Sequence, residues 1–292
     1  MIGMCEGRVC VVTGAGRGIG REHALALGSR GAQVVVNDVG AGVDGTGDDS
    51  TPADEVVEAI IAGGGRAIAN HEDIATWDGA ESLIRSAVET FGRLDVVVNN
   101  AGILRDRKIV SMTEDDWDSV IAVHLKGTFC VTRHAAVYWK SEVDEGRIND
   151  ARVINTTSSS GLFGNPGQAN YGAAKAGIAS FTVIAAMELA RYGVTVNAIS
   201  PGALTRMTDG LQLDDEMKRR WDPALVSPAV CWLASISSGD VTGQVIESSG
   251  IALGVFEGWH RGPRGEAVST AEEVDAVLRP LLAEARSPQS IR

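Results

Sequence analysis

Cysteine and positive charge are both scarce in this chain of 292 residues. The four cysteines form no C-x-x-C pair, which argues against a thiolate metal site and favours reduced thiols over structural disulfides. With 26 basic and 38 acidic residues, the formal net charge is −12. The longest basic run is Lys218-Arg219-Arg220, too short for a nucleic-acid footprint. We therefore expect no nucleic-acid partner, and any anionic ligand must be held by local groups.

Long apolar runs and metal-ligand spacings are missing as well. The sequence contains no stretch that approaches the roughly 18 apolar residues of a membrane span, and its first residues do not resemble a secretory signal. Four of the five histidines, His23, His71, His134 and His260, make no ligand spacing with the cysteines or with one another. These absences predict a cytoplasmic protein that contacts no membrane and binds no metal.

What the sequence does contain is a regular alternation of apolar strands and helices. Strands are predicted at Val9–Thr13, Gln33–Asn37, Arg66–Asn70, Leu94–Asn99, Arg152–Thr156, Val194–Ile199 and Val245–Ser248. Helices are predicted at Glu22–Ser29, Pro52–Ala62, Gly79–Phe91, Thr113–Lys140, Asn170–Tyr192, Pro228–Ser235 and Thr270–Ala285. Strands that are apolar almost throughout and alternate with helices are typical of a parallel sheet covered on both faces. We predict an α/β fold with a doubly wound, Rossmann-type parallel sheet in a single domain.

A glycine-rich run joins the first strand to the first helix. Thr13–Gly20 reads TGAGRGIG, with the spacing G-x-x-x-G-x-G rather than G-x-G-x-x-G. Backbone N–H groups and the helix dipole at such a turn can bind a pyrophosphate. The alternative is an ordinary strand-to-helix turn. The candidate cofactor-binding residues here are Gly14, Arg17, Gly18, Ile19 and Gly20.

Asp38 ends the second strand, 18 residues after Gly20. A carboxylate there can accept hydrogen bonds from both adenosine ribose hydroxyls and repel a 2′-phosphate, which favours NAD over NADP. Arg17 could offset that preference by offering a cation to the phosphate. Asp73 and Ile74 follow the third strand and are candidates for the adenine edge, although an aspartate at a strand end also starts turns.

Asn99-Asn100-Ala101-Gly102 ends the fourth strand. Ligands bind doubly wound folds at the carboxyl ends of the strands, and small residues there let the backbone approach a cofactor. Asn100, Ala101 and Gly102 are therefore candidate contacts, although Asn and Gly also favour turns.

Tyr171 and Lys175 lie four residues apart in a predicted helix, on one face. A tyrosine titrates near 10, so a role as a base near pH 7 requires stabilisation of the phenolate by roughly 4 kcal/mol. Lys175 and a positive nicotinamide could supply it together. Ser158 lies 13 residues before Tyr171 and can hydrogen-bond the substrate oxygen. The Tyr-x-x-x-Lys spacing alone is common on helix surfaces, so the prediction depends on the combination.

In combination, these motifs resemble those of the short-chain dehydrogenase/reductase family, and the resemblance covers nearly all of the chain. It implies that Ser158, Tyr171 and Lys175 are catalytic and that Tyr171 and Lys175 also touch the cofactor. It further implies that Pro201-Gly202, with Thr205 nearby, lies beside the nicotinamide. The expected activity is NAD-dependent interconversion of a secondary alcohol and a ketone. The long helices are expected to associate in a homodimer or homotetramer.

A closer resemblance, to the (3R)-hydroxyacyl-CoA dehydrogenase part of multifunctional enzyme type 2 and its bacterial single-domain relatives, comes from four segments. These segments are Val36–Asp38, Asn100–Arg107, Gly164–Tyr171 and Pro288–Ile291. The chain departs from the longer enzymes by ending at Arg292 without a peroxisomal Ser-Lys-Leu terminus, which favours a bacterial cytoplasmic enzyme. A 3-hydroxyacyl-CoA is then the expected substrate. The alternatives are a hydroxysteroid dehydrogenase, a 3-oxoacyl-carrier-protein reductase, and a dinucleotide-binding regulator without turnover.

Three further features bear on that prediction. The resemblance departs at His124, which stands where the family usually has an asparagine that completes a catalytic tetrad with the equivalents of Ser158, Tyr171 and Lys175. His124 either holds a relay water through its backbone carbonyl or serves as an ordinary helix residue. Arg105, Arg107 and Lys108 could attract CoA phosphates, unless they form a solvated loop in which Asp106 pairs with its neighbours. Residues 204–221 are expected to close over the acyl group. Residues 1–250 are expected to form the dinucleotide-binding catalytic domain, and residues 251–292 a C-terminal extension packed on the domain or on a partner subunit.

Overall fold

The computed structural model describes residues 3–47, 49–204, 214–287 and 289. Its described strands form one sheet in the order β3-β2-β1-β4-β5-β6-β7-β8, parallel except for β8. The strands are β1 Val9–Thr13, β2 Gln33–Asn37, β3 Arg66–Asn70, β4 Val96–Asn99, β5 Ala151–Thr156, β6 Val194–Gly202, β7 Val245–Ser249 and β8 Leu253–Phe256. The predicted Rossmann-type doubly wound fold is confirmed.

Helices cover both faces of the sheet. They are α1 Gly18–Gly28, α2 Thr51–Ala62, α3 Trp77–Phe91, α4 Glu114–Ile121, α5 Gly127–Asp144, α6 Ser159–Phe163, α7 Ala169–Leu189, α8 Asp215–Arg220, α9 Ser227–Ala234 and α10 Ala271–Glu284. Alternate residues of β1 point to opposite faces, so Cys10 and Val12 join a core with α1, α2 and α9. Val9 and Val11 join a second core with α3, α5 and α7. This alternation of a wholly buried strand is what a two-faced parallel sheet requires.

The predicted helix Thr113–Lys140 is divided in the structure. It runs as α4, a π-helical turn at Ala122–Lys126, and α5, which continues to Asp144. Sequence periodicity gives no sign of the extra residue that a π turn inserts, because the apolar pattern continues on both sides. Such turns occur frequently at functional sites, and this one carries His124.

The C-terminal part of the chain adds an antiparallel edge that the sequence analysis missed. Strand β8 pairs with β7, and Phe256 at its end stacks edge-on against Phe163 of α6 with ring centroids 5.5 Å apart. Beyond β8, helix α10 has no buried residue among those described. The pattern of β8 is too short and too glycine-interrupted to be recognised as a strand.

One described helical stretch, Ala169–Tyr192, has the length and composition of a membrane span. It contains α7, whose buried residues Ala185, Ala186 and Leu189 belong to the core between α7 and the sheet. Core helices of folded domains commonly have this composition, so the stretch is weak evidence for a membrane.

Candidate active site

The glycine turn after β1 requires glycine at several positions. Gly14 and Gly18 have φ of +61° and +56°, in the left-handed region that other residues avoid. A Cβ on Gly20 would lie 2.1 Å from the carbonyl oxygen of Gly14 and 2.4 Å from Nδ2 of Asn100. The turn therefore packs backbone against backbone at the carboxyl end of the sheet.

The first turn of α1 begins within the glycine turn, at the carboxyl end of the sheet. Within the described chain, no side chain caps it, and its first turn contains no acidic residue. Uncapped N–H groups and a positive helix end are what a pyrophosphate needs, so the residues present fit a dinucleotide. Ile19 packs partly into the core below the turn. Arg17 points to the loop after β2, where its guanidinium binds Asp49 at 3.0 Å.

Asp38 lies against the glycine turn. Its carboxylate accepts hydrogen bonds from the N–H groups of Gly16 and Gly40, each at 2.8 Å. A carboxylate has about four acceptor positions, so two remain for ribose hydroxyls. The pairing of Arg17 with Asp49 opposes the role of that arginine as a free cation for a 2′-phosphate.

Asp73 and Ile74 have structural partners of their own. The Asp73 carboxylate accepts from the N–H of Ala75 at 2.9 Å. This contact is that of an aspartate that starts a turn, the alternative to an adenine contact in the sequence analysis. Ile74 is buried, and a Cβ on Gly127 would lie 2.2 Å from its Cδ1. Ile74 thus connects the end of β3 with the start of α5.

Asn100 fastens the end of β4 to the glycine turn. Its Nδ2 donates to the carbonyl oxygens of Thr13 and Gly14 at 3.0 and 3.1 Å. The hydroxyl of Thr13 in turn accepts from the N–H groups of Asn100 and Ala101. Gly102 lies against His124, whose Cε1 would be 2.3 Å from an added Cβ. The structure thus brings the two predicted cofactor motifs together.

The predicted catalytic side chains meet at the same edge of the sheet. Ser158 directly precedes α6, and its Oγ accepts from the N–H of Ser160 at 3.2 Å. Tyr171 and Lys175 share one face of α7, with Nζ 5.5 Å from the centroid of the phenol ring. Nζ donates to the carbonyl oxygen of Thr156, at the end of β5, at 2.7 Å.

Burial controls the charges of this group. Lys175 is 3% exposed, and burial lowers its pKa to about 7. Burial also raises the pKa of Tyr171; the nearby charge of Asp106 adds to the rise, and the hydrogen bond with Ser158 opposes it. The phenol is therefore a proton donor in this arrangement, and its use as a base requires added positive charge beside it.

His124 is buried on the π turn between α4 and α5. Its Nε2 lies 2.8 Å from the carbonyl oxygen and 3.1 Å from the N–H nitrogen of Ile103, while Nδ1 has no hydrogen-bond partner among the described residues. The ring stands edge-on to Tyr171 at 5.2 Å. Burial first, and the charge of Lys175 second, lower the pKa of His124 to about 3, so the ring is neutral at physiological pH.

Asn170 is a site residue that the sequence analysis did not single out. It is fully buried, and its Nδ2 donates to the carbonyl oxygens of Arg105 and Asp116 at 3.0 and 2.8 Å. These bonds hold the start of α7, and so Tyr171, against α4 and the loop after β4. In the sequence, the signal that could have identified Asn170 was its position directly before Tyr171, where a polar residue begins the predicted helix.

The basic loop after β4 is largely engaged by neighbours. Arg105 forms an ion pair with Asp115 of α4, and Arg107 donates to the carbonyl oxygen of Asp106 at 2.8 Å. Asp106 accepts from Gln168 rather than pairing with either arginine. Of the cations that the sequence analysis assigned to CoA phosphates, Arg105 is thus paired with an acidic side chain, and Arg107 bonds a backbone carbonyl oxygen.

Pro201 and Gly202 end β6, where Gly202 pairs with Ser249 of β7. They lie at the same sheet edge as the other candidates, next to β5. Thr205 lies outside the described residues, as does much of the segment 204–221.

Several known proteins are similar to this chain. The sequence matches the short chain dehydrogenase family over residues 8–216. It is 43% identical to a hydroxyacyl-CoA dehydrogenase of Mycobacterium tuberculosis, with 97% of this chain and 91% of that one covered. It is 46% identical to peroxisomal multifunctional enzyme type 2 of Drosophila melanogaster, with 84% of this chain but 39% of the fly enzyme covered.

Two further comparisons concern a reductase and a solved structure. A 3-oxoacyl-[acyl-carrier-protein] reductase of Synechocystis is 41% identical, with 83% of this chain and 96% of that one covered. The crystal structure of a short chain dehydrogenase from Mycobacterium avium matches with a TM-score of 0.89 and 49% identity, over 99% of both chains. The resemblances stated from the motifs are thereby confirmed.

Proposed function

The chain belongs to the short-chain dehydrogenase family, and we propose that it is an NAD-dependent enzyme that interconverts a (3R)-3-hydroxyacyl-CoA and a 3-oxoacyl-CoA. The observation that carries the reaction type is the meeting of Ser158, Tyr171 and Lys175 at the carboxyl edge of the sheet, where the glycine turn also lies. This arrangement places a proton donor and a hydrogen-bonding hydroxyl at the edge of the sheet where the dinucleotide fits.

Tyr171, Ser158 and Lys175 have different roles at the substrate oxygen. A bound nicotinamide dinucleotide supplies the hydride acceptor for oxidation and the donor for reduction. In oxidation, Tyr171 takes the hydroxyl proton as the carbonyl forms, and in reduction it returns that proton to the oxygen. Ser158 hydrogen-bonds the same oxygen and holds it beside the phenol. Lys175 favours the phenolate when it is charged, and the cationic nicotinamide of the oxidised cofactor adds to that effect.

Tyr171→Phe tests the reaction type. The substitution deletes the transferred proton but no dinucleotide contact of the backbone, so turnover should fall by at least a hundredfold while cofactor affinity changes little. Turnover is followed by the absorbance of the reduced cofactor, and affinity by its fluorescence. Retention of more than a tenth of the activity would reject Tyr171 as the acid and base. An unmodified protein that binds cofactor without turning over any substrate would favour the non-catalytic regulator.

Asp38 supports the choice of NAD. Its carboxylate is held beside the glycine turn by Gly16 and Gly40, where it would accept from ribose hydroxyls and repel a 2′-phosphate. Asp38→Ala should weaken NAD binding roughly tenfold and improve the relative use of NADP. Glu72→Ala, a carboxylate near the end of β3, serves as the control. An NAD-to-NADP ratio of kcat/KM unchanged by Asp38→Ala would remove this residue from the site.

The acyl-CoA substrate is supported by the hydroxyacyl-CoA dehydrogenase that is similar to this chain over almost its whole length. The reductase of Synechocystis supports a second candidate, a 3-oxoacyl group on a carrier protein. Steady-state rates with (3R)-3-hydroxyacyl-CoA, the matching carrier-protein thioester and a free hydroxysteroid distinguish them. Faster turnover of the carrier-protein thioester or of the steroid would overturn the acyl-CoA proposal. A cytoplasmic location stays a prediction.

A further inference from the structure

The loop after β2 is folded into a compact unit that we term the strap, residues 39–47. Its base is closed, because a Cβ on Gly40 would lie 1.9 Å from the carbonyl oxygen of Asp49. Its tip is held by Asp44, whose carboxylate accepts from the N–H and the hydroxyl of Thr46 at 3.1 and 2.8 Å. A surface loop whose ends meet and whose interior is bonded to itself keeps a defined shape.

The tip of the strap is bonded to the loop that follows β4. The N–H of Leu104 donates to the carbonyl oxygen of Val43 at 2.8 Å. The Nε of Arg105 donates to the carbonyl oxygen of Asp44 at 2.9 Å. These contacts join segments about 60 residues apart in the chain, so they exist only in the folded protein.

Arg105 connects the strap to a third element. The same guanidinium that binds the strap is ion-paired with Asp115 of α4, and the side chain is 20% exposed. Its neighbour Arg107 makes a different contact, with the carbonyl oxygen of Asp106, and does not share the link from strap to helix. The two arginines therefore form a matched pair for experiment.

The sheet order decides what lies beneath the strap. Strands β2 and β4 flank β1 on its two sides, so a connection from the end of β2 to the end of β4 must pass the carboxyl end of β1. The glycine turn begins there. From the turn itself, Arg17 reaches back to Asp49 and to the carbonyl oxygen of Ala41. The strap is thus anchored on both sides of the place where the pyrophosphate fits.

We propose that the strap encloses the dinucleotide on the glycine turn and that Arg105 is the positioning residue that fastens it, rather than a ligand for CoA phosphates. The inference rests on the proposed dinucleotide-binding function. With the strap fastened, the cofactor must wait for the link to open before it leaves. Loss of the link should therefore act mainly on the rate of cofactor dissociation.

The test measures the binding of NADH to the protein without substrate, by fluorescence titration and stopped-flow dissociation. Arg105→Ala should raise the Kd of NADH about tenfold through faster dissociation, whereas Arg107→Ala should change it less than about twofold. Arg105→Lys keeps the charge opposite Asp115 but loses the planar guanidinium, so its Kd should be intermediate. Hydrogen exchange within 39–47 should slow when NADH binds to the unmodified protein and should slow less in Arg105→Ala.

Each contrary outcome has its own meaning. Equal Kd values in Arg105→Ala and the unmodified protein, with native-like circular dichroism, would overturn the proposal, as would exchange in the strap that is indifferent to NADH. If both alanine variants instead raise KM for an acyl-CoA and leave NADH affinity unchanged, the arginines bind CoA phosphates and the proposal is wrong. If the unmodified protein binds neither NADH nor NADPH, the proposed function fails first.

Discussion

Burial sets the charge of each titratable side chain near the substrate oxygen. The ring of His124 is uncharged because burial lowers its pKa to about 3, and the lowered pKa of Lys175 has the same cause. A neutral, edge-on histidine beside Tyr171 can support the phenol and the backbone of Ile103, but its ring does not change protonation state between pH 5 and 9. We therefore interpret His124 as a residue that positions its neighbours.

The variant His124→Asn tests this interpretation through pH. If His124 does not titrate during turnover, the profile of kcat/KM between pH 5 and 9 should keep its shape, with the absolute value reduced by up to about tenfold from lost packing. The stability of the folded protein, unlike the shape of the activity profile, should depend on the ionisation of His124. Unfolded histidine takes up a proton below about pH 6.5 whereas the folded state does not until about pH 3, so the unmodified protein loses stability as pH falls through that window.

In His124→Asn, the melting temperature should accordingly fall less steeply between pH 6.5 and pH 4. Calorimetry at several pH values measures this slope. A limb near pH 6.5 that is present in the activity profile of the unmodified enzyme and absent from that of His124→Asn would show that His124 titrates during the reaction.

At the scale of elements, β8 links the C-terminal part of the chain to the catalytic region. It covers the edge of β7, and its Phe256 stacks on Phe163 of α6, the helix that begins directly after Ser158. Helix α10 contributes no buried residue among those described. The two parts of the C-terminal segment therefore differ in what their removal would expose.

Two truncations separate these contributions. A chain ending at Phe256 keeps β8, so its melting temperature should stay within about 3 °C of the full chain. A chain ending at Gly250 uncovers the edge of β7 and removes the partner of Phe163, so it should lose roughly 5 °C or more and aggregate. If the chain ending at Phe256 is as unstable as the chain ending at Gly250, α10 packs more firmly than its exposure indicates. A change of subunit number in the chain ending at Phe256 would place residues 257–292 on a partner.

Across the whole molecule, α5 and α7 expose a shared apolar surface. Phe129 of α5 stacks edge-on against Phe181 of α7 with centroids 6.2 Å apart, and several neighbours along the two helices are exposed. These neighbours are Val137, Val183, Ile184 and Met187. Exposed apolar side chains that gather on neighbouring helices are typical of association surfaces. We propose that a second copy of the chain covers this one, as the family resemblance implies.

Sedimentation tests the association. The unmodified protein should sediment as a dimer or tetramer at about 10 μM, and Ile184→Glu should shift it toward smaller species because a charge would be buried in the interface. Ile148→Glu is the control, since Ile148 is an exposed apolar residue outside both helices. A monomeric unmodified protein, or an equal shift in both variants, would contradict the proposed surface.

The doubly wound sheet could be predicted from the sequence, because strands buried on two faces and helices buried on one leave local periodicities that can be counted. The sequence also placed Tyr171 and Lys175 on one helical face, since four residues make about one turn. The antiparallel direction of β8 and the π turn at His124 left no such local pattern. The partners of Arg105 lie 61 residues before it and 10 after it, so its contacts with the strap and α4 could not be predicted before the chain was seen folded. Burial decided the charges in the same way, because desolvation depends on everything packed around a group.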